Sequence, residues 1–79
     1  MDQKLTIRLF GPFTDVFPER SIMVDRVNTV GELEFVLKSL NVTFTRIPFR
    51  IAVNKRLSLH SDLIGPADEI AVLPPFSGG

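Results

Sequence analysis

The chain has 79 residues and contains no cysteine, no tryptophan and no tyrosine, with a single histidine. The absence of cysteine excludes a disulfide scaffold, a thiolate metal site and a cysteine nucleophile. One histidine excludes a zinc site built on histidines and argues against a Ser-His-Asp device. An excess of one charge is also missing: nine basic side chains balance nine acidic ones. Nucleic-acid binding rests on surplus Lys and Arg, so nucleic acid is not the expected partner. Long apolar runs are absent, and none approaches the roughly 20 residues that span a bilayer. The start, Met1-Asp2-Gln3-Lys4, leads into an alternating segment and not into the apolar core of a signal peptide. A soluble cytoplasmic protein without a membrane partner is therefore expected.

What remains is 44% hydrophobic and 23% charged, which fits a folded chain. The length makes one domain. A domain of this size buries only about 60% of its unfolded surface, which leaves little room for an internal cofactor pocket.

Lys4 to Phe10 alternates, with Leu5, Ile7 and Leu9 on one face and Thr6, Arg8 and Phe10 on the other. That pattern predicts a half-buried strand ending at Gly11-Pro12. Phe13 to Phe17 predicts a turn of helix or an ordered loop, stopped by Pro18. Ser21 to Val27 is a second strand, with Ile22 and Val24 inward. Thr29-Val30-Gly31-Glu32 has the form of a capping box. A helix then runs to about Asn41, with Val30, Leu33, Val36, Leu37 and Leu40 as its apolar stripe. Phe35 falls on the other side, either under a loop or free for a secondary contact. Val42 to Pro48 reads as irregular. Arg50 to Asn54 is a strand with Ile51 and Val53 inward, Asn54-Lys55 is a turn, and Leu57 to Leu59 pairs briefly behind it. Glu69 to Leu73 is the last strand, with Ile70 and Val72 inward and Ala71 and Leu73 outward.

One helix covers only one face of a sheet. The element order suits an α+β fold of the β-grasp, or ubiquitin-like, type. Its mixed sheet has four to five strands, with the first and last parallel in the middle and the main helix on one face. Residues 1–74 form this domain and residues 75–79 an extended tail.

The end of the chain is Leu73-Pro74-Pro75-Phe76-Ser77-Gly78-Gly79. Two glycines alone would read as a frayed terminus. Here they follow a stiff di-proline and an aromatic at the end of a core strand. Glycine lacks a Cβ, so Gly78-Gly79 can thread a channel closed to other residues. The Gly79 carboxylate is then the one functional group at the tip. A carboxylate is a poor electrophile, so reaction there needs activation, most simply as an acyl-adenylate made with ATP.

The run Ala67-Asp68-Glu69-Ile70-Ala71-Val72-Leu73-Pro74-Pro75-Phe76-Ser77-Gly78-Gly79 resembles the C-terminus of molybdopterin synthase small subunits, in the MoaD/ThiS sulfur-carrier family. Thr29-Val30-Gly31-Glu32-Leu33 and Ala52-Val53-Asn54 match in the same order, and the resemblance covers nearly the whole chain. It departs at Lys55, where a glycine is usual, and at the displaced Gly65. The resemblance implies a carrier cycle. An adenylyltransferase of the ubiquitin-activating type would spend ATP to adenylate Gly79, and sulfur would replace the adenylate to give a thiocarboxylate. The tail would then enter the large catalytic subunit of the synthase and give its sulfur to a pterin precursor. The chain would bind no cofactor itself and would work in a hetero-oligomer as a sulfur donor, not as a free-standing enzyme. The alternatives are a carrier for thiamine or another sulfur-containing metabolite, a ubiquitin-like modifier, and an adaptor with an inert tail.

Strand parity adds a docking surface. Phe10 and Leu73 point away from the helix-covered face, Leu57 joins them, and Pro74, Pro75, Phe76 and Ser77 lie just beyond. An apolar cluster on an open sheet face marks an interaction site; the alternative is cover by a loop of the same chain. His60 reads as a surface residue, Lys55-Arg56 as a solvated hairpin tip, and Asp68-Glu69 as a cap on the start of the last strand.

Overall fold

A computed structural model of the chain describes residues 4–74. Strand β1, Lys4–Leu9, buries Leu5, Ile7 and Leu9 and exposes Lys4, Thr6 and Arg8, as its alternation requires. Gly11 turns the chain into the single helical turn α1, Phe13–Val16. Strand β2, Ser21–Asp25, returns antiparallel, with Leu5 opposite Val24 and Ile7 opposite Ile22. It stops at Asp25, two residues short of the expected Val27. Its last residue, Asp25, pairs with Lys4.

Helix α2, Val30–Leu40, opens with both halves of the capping box. The Glu32 amide donates to Thr29 Oγ1 at 3.2 Å, and the Thr29 amide donates to Glu32 Oε1 at 3.1 Å. Val30, Leu33 and Leu37 are buried and Val36 is half-buried. Leu40 departs from the expected stripe and is 52% exposed. The helix ends at that residue, and Phe44 is buried at that end in its stead.

The segment expected to be irregular contains helix α3, Thr43–Arg46. Two threonines with poor helix propensity mask it in the sequence. Burial outweighs propensity here. Phe44 stacks on Phe13 with centroids 5.1 Å apart and on Phe17 at 5.8 Å, and meets Phe49 edge-on at 5.6 Å. Asn41 Oδ1 accepts from the Thr43 amide at 2.8 Å and satisfies one amide at the start of the turn.

Strands β3, Arg50–Val53, β4, Arg56–Leu57, and β5, Ile70–Leu73, complete a five-stranded sheet in the order β2-β1-β5-β3-β4. The two central strands, β1 and β5, run parallel, with Leu9 opposite Val72. This is the α+β β-grasp arrangement expected from the element order. The side chains of Leu5, Ile7, Leu9, Val24, Ile51, Ile70 and Val72 meet those of Val30, Leu33, Leu37, Phe13 and Phe44 in one core. Val53 is half-buried, whereas Ala52 on the opposite face is buried. Its methyl lies in the row between Ala71 and Leu57, and its neighbours overshadow it. The boundary drawn between residues 74 and 75 falls at the end of the described residues. Among those residues no helix is long and apolar enough to cross a membrane.

Candidate functional site

The face of the sheet away from α2 is set by the register. One row crosses all five strands: Ser21, Arg8, Ala71, Ala52 and Leu57. The neighbouring row places Leu73 opposite Arg50. Phe10 follows β1 with the same parity as Arg8, so Arg8, Phe10, Ala71, Leu73 and Leu57 share the open face. Phe10 is 40% exposed and Leu57 58% exposed, while Leu73 is half-buried. The Arg8 guanidinium carbon lies 5.8 Å from the Phe10 ring centroid, within cation–π range.

Met23 belongs to the same face, opposite Thr6, and is 65% exposed. It was not among the expected contact residues. The signal was present, because inward Ile22 and Val24 leave Met23 outward. Arg8 and Arg50 also lie on this face and place two positive charges among its apolar residues. Phe35 is 73% exposed, so no loop among the described residues covers it.

The start of β5 is held by a polar network reaching across the sheet. Asn54 and Lys55 both have positive φ, 53° and 69°, in the tight turn between β3 and β4. Asn54 Nδ2 donates to Asp68 Oδ1 at 3.0 Å, and the Glu69 amide donates to Asn54 Oδ1 at 2.9 Å. The Asn54 amide donates to the Glu69 carbonyl at 2.7 Å, and the Gly65 amide to Asp68 Oδ2 at 2.7 Å. The Gly65 amide, and after it the Asn54 side chain, hold the Asp68 carboxyl below the usual carboxylate range. Asp68 thus acts as a structural acceptor. His60 is exposed, with Nδ1 2.8 Å from Glu34 Oε1. Among the described residues no cluster of His, Asp or Glu side chains is arranged to hold a metal.

At the far end of β5 the chain reaches Pro74, which is half-buried against Gly11. Pro75, Phe76, Ser77, Gly78 and Gly79 lie outside the described residues. The open face therefore ends where the tail begins. Leu73 and Arg50 lie at the Pro74 end of the face with Phe10 just past β1, Arg8 and Leu57 lie one row back with Ala71, and Met23 lies toward the other end.

A family model described as the ThiS family matches residues 7–79. Solved structures of other proteins share the fold. The Helicobacter pylori complex of subunits 1 and 2 of the molybdopterin-converting factor contains a chain 26% identical, with a TM-score of 0.67, covering 98% of this chain and 100% of that one. A Pyrococcus furiosus protein provisionally named molybdopterin converting factor subunit 1 is 19% identical, with a TM-score of 0.81, covering 94% and 99%. Small archaeal modifier protein 1 of Haloferax volcanii is 20% identical, with a TM-score of 0.77, covering 94% and 99%.

Proposed function

This chain belongs to the ThiS family of ubiquitin-like sulfur carriers and modifiers, and from that premise we propose that it carries sulfur on Gly79 as the small subunit of a molybdopterin synthase. The observation that carries the proposal is the tail: central strand β5 runs through a di-proline into a terminal Gly-Gly. In the proposed cycle a Gly79 carboxylate oxygen attacks the α-phosphorus of ATP in an adenylyltransferase of the ubiquitin-activating type, and pyrophosphate leaves. Sulfur at the sulfide level then attacks the acyl carbon, AMP leaves, and the terminus becomes a thiocarboxylate.

The thiocarboxylate sulfur then bonds to carbon of a pterin precursor inside a large catalytic subunit, and water cleaves the acyl–sulfur bond and returns the Gly79 carboxylate. Gly78 and Gly79 thread the channel, and Ser77 is small enough to follow. Phe10, Leu57, Leu73, Pro74, Pro75 and Phe76 form the docking surface of this chain. The large-subunit partner is supported by the Helicobacter pylori relative, which is a complex of subunits 1 and 2. ATP belongs to the activating enzyme, and this chain holds no cofactor of its own.

The test is reconstitution. Thiocarboxylated chain mixed with the large subunit and the cyclic pterin precursor yields the dithiolene product, and chain lacking Gly79 yields none. Equal product from both would reject the proposal. A second reading, favoured by the likeness to small archaeal modifier protein 1, is attachment of Gly79 to lysines of target proteins. It predicts Ser-Gly-Gly remnants on lysines after chymotryptic digestion of cell extracts, because cleavage after Phe76 leaves residues 77–79 attached.

A further inference from the structure

Gly11 is held on three sides. Its φ is +65°, a conformation that side-chain-bearing residues rarely adopt. Its carbonyl accepts from the Thr14 amide at 3.1 Å and from Thr14 Oγ1 at 2.8 Å. The turn behind it is anchored in the core by Phe13, which is fully buried and stacked on Phe44. Gly11 therefore has little freedom to move.

β1 and β5 are parallel neighbours with Leu9 opposite Val72. Two further steps along both strands bring Gly11 beside Pro74. A Cβ on Gly11 would lie 2.8 Å from Pro74 Cγ and 3.3 Å from Pro74 Cδ. Ordinary contact begins at 3.4 Å, so the Pro74 ring already fills the space that a side chain would need. Proline also fixes its own φ. The place of its ring therefore governs where the next residue starts.

We propose that Gly11 is a positioning residue for the C-terminal tail. Its bare α-carbon seats the Pro74 ring, and that seat fixes the residue to which the C-terminal tail is joined. The functional consequence rests on the carrier reading. A tail joined to a fixed Pro74 loses less freedom on entering a partner's channel than one joined to a mobile residue, and its carboxylate reaches the activating nucleotide more often in the reacting geometry. Gly11 touches no reacting atom and acts through Pro74.

The competing explanation is that residue 11 is glycine only for its positive φ. Asparagine separates the two, because it tolerates that conformation but adds a Cβ. Pro74→Ala removes the Cγ and Cδ atoms that a Cβ would strike. The experiment compares the full chain with Gly11→Asn, Pro74→Ala and the double variant. It reads the backbone amide signals of Phe76, Ser77, Gly78 and Gly79 by nuclear magnetic resonance, and kcat/KM for adenylation by the activating enzyme.

With Pro74 present, Gly11→Asn is expected to shift the tail amides and lower kcat/KM about tenfold, chiefly through KM. With alanine at 74, the same substitution is expected to change neither. An equal effect in both backgrounds, or unmoved tail signals with Pro74 present, overturns the proposal. If the parent chain is never adenylated, the carrier reading fails while the amide shifts still decide the seat. If Gly11→Asn does not fold, Pro74→Ala alone decides: shifted tail amides together with a shifted Gly11 amide support the seat, and an unmoved Gly11 amide overturns it.

Discussion

Phe44→Ala should be among the most damaging single substitutions in this chain. Phe44 is 1% exposed and meets three other aromatic rings: Phe13 at 5.1 Å, Phe17 at 5.8 Å and Phe49 at 5.6 Å. Removing a buried phenylalanine to alanine costs about 3–5 kcal/mol. A chain of this length is stable by roughly 4–12 kcal/mol in all. The substitution therefore removes at least about a quarter of the stability and, at the other extreme, more than all of it. Phe44→Leu keeps most of the volume but loses the ring pairings, each worth about 0.5–1.5 kcal/mol, and should cost roughly half as much. Urea unfolding followed by far-ultraviolet circular dichroism is the suitable assay, because the chain has no Trp or Tyr to report by fluorescence. With an m-value near ~1 kcal/mol/M, the alanine variant should lose about 3 M or more in midpoint, or be unfolded without urea. A loss under about 1 kcal/mol at unchanged m would refute the claim that Phe44 closes the core between α1 and α3.

Three further outcomes follow from the same geometry. Phe10→Asp should keep a native circular dichroism spectrum and weaken binding of the large subunit about tenfold or more, as loss of a central interface aromatic does; undiminished binding by the folded variant counts against the docking face. Thr29→Ala removes one arm of the capping box and should cost about 1 kcal/mol in thermal or urea unfolding, while Thr29→Ser should cost little. Asp68 has a folded-state pKa below its unfolded one, so the stability it contributes is present above the unfolded pKa and fades as pH falls through the folded one. Urea midpoints measured downward from about pH 5 should therefore fall more steeply for the parent chain than for Asp68→Ala, and parallel curves would contradict the role given to the Gly65 and Asn54 hydrogen bonds.

The parts of the fold legible in the sequence are those governed by local periodicity. Alternation in Lys4–Leu9 and Ile70–Leu73 marks the two central strands, and Thr29 with Glu32 marks the start of α2. The element order then allows few arrangements other than a parallel central pair. What escaped depends on contacts distant in sequence. Phe44 is helical because Phe13, Phe17 and Phe49 surround it, and no pattern in Thr43–Arg46 reveals that. Asn54 reads as a turn residue, but its side-chain bonds to Asp68 and Glu69 exist only once β3 and β5 are paired. Gly11 reads as the end of a strand, and its contact with Pro74 arises only from the register of β1 with β5. The candidate docking face shows the same division. Phe10, Leu57 and Leu73 follow from strand parity. Met23 follows from it equally, and Arg8 and Arg50 add two positive charges that a search for apolar residues overlooks.

The lack of cysteine excludes transferable sulfur held on a side-chain thiol but not sulfur carried on the backbone carboxyl. The most direct measurement is therefore mass spectrometry of the chain isolated from its own cells during active cofactor synthesis. The proposed cycle predicts a fraction in which sulfur replaces one oxygen at Gly79, and in which that terminus is captured by a thiol-directed alkylating reagent. Alkylation is essential, because oxidation of Met1 or Met23 adds nearly the same mass. A Gly79 carboxylate that never becomes alkylatable, or one found only in linkage to lysine, would contradict the account.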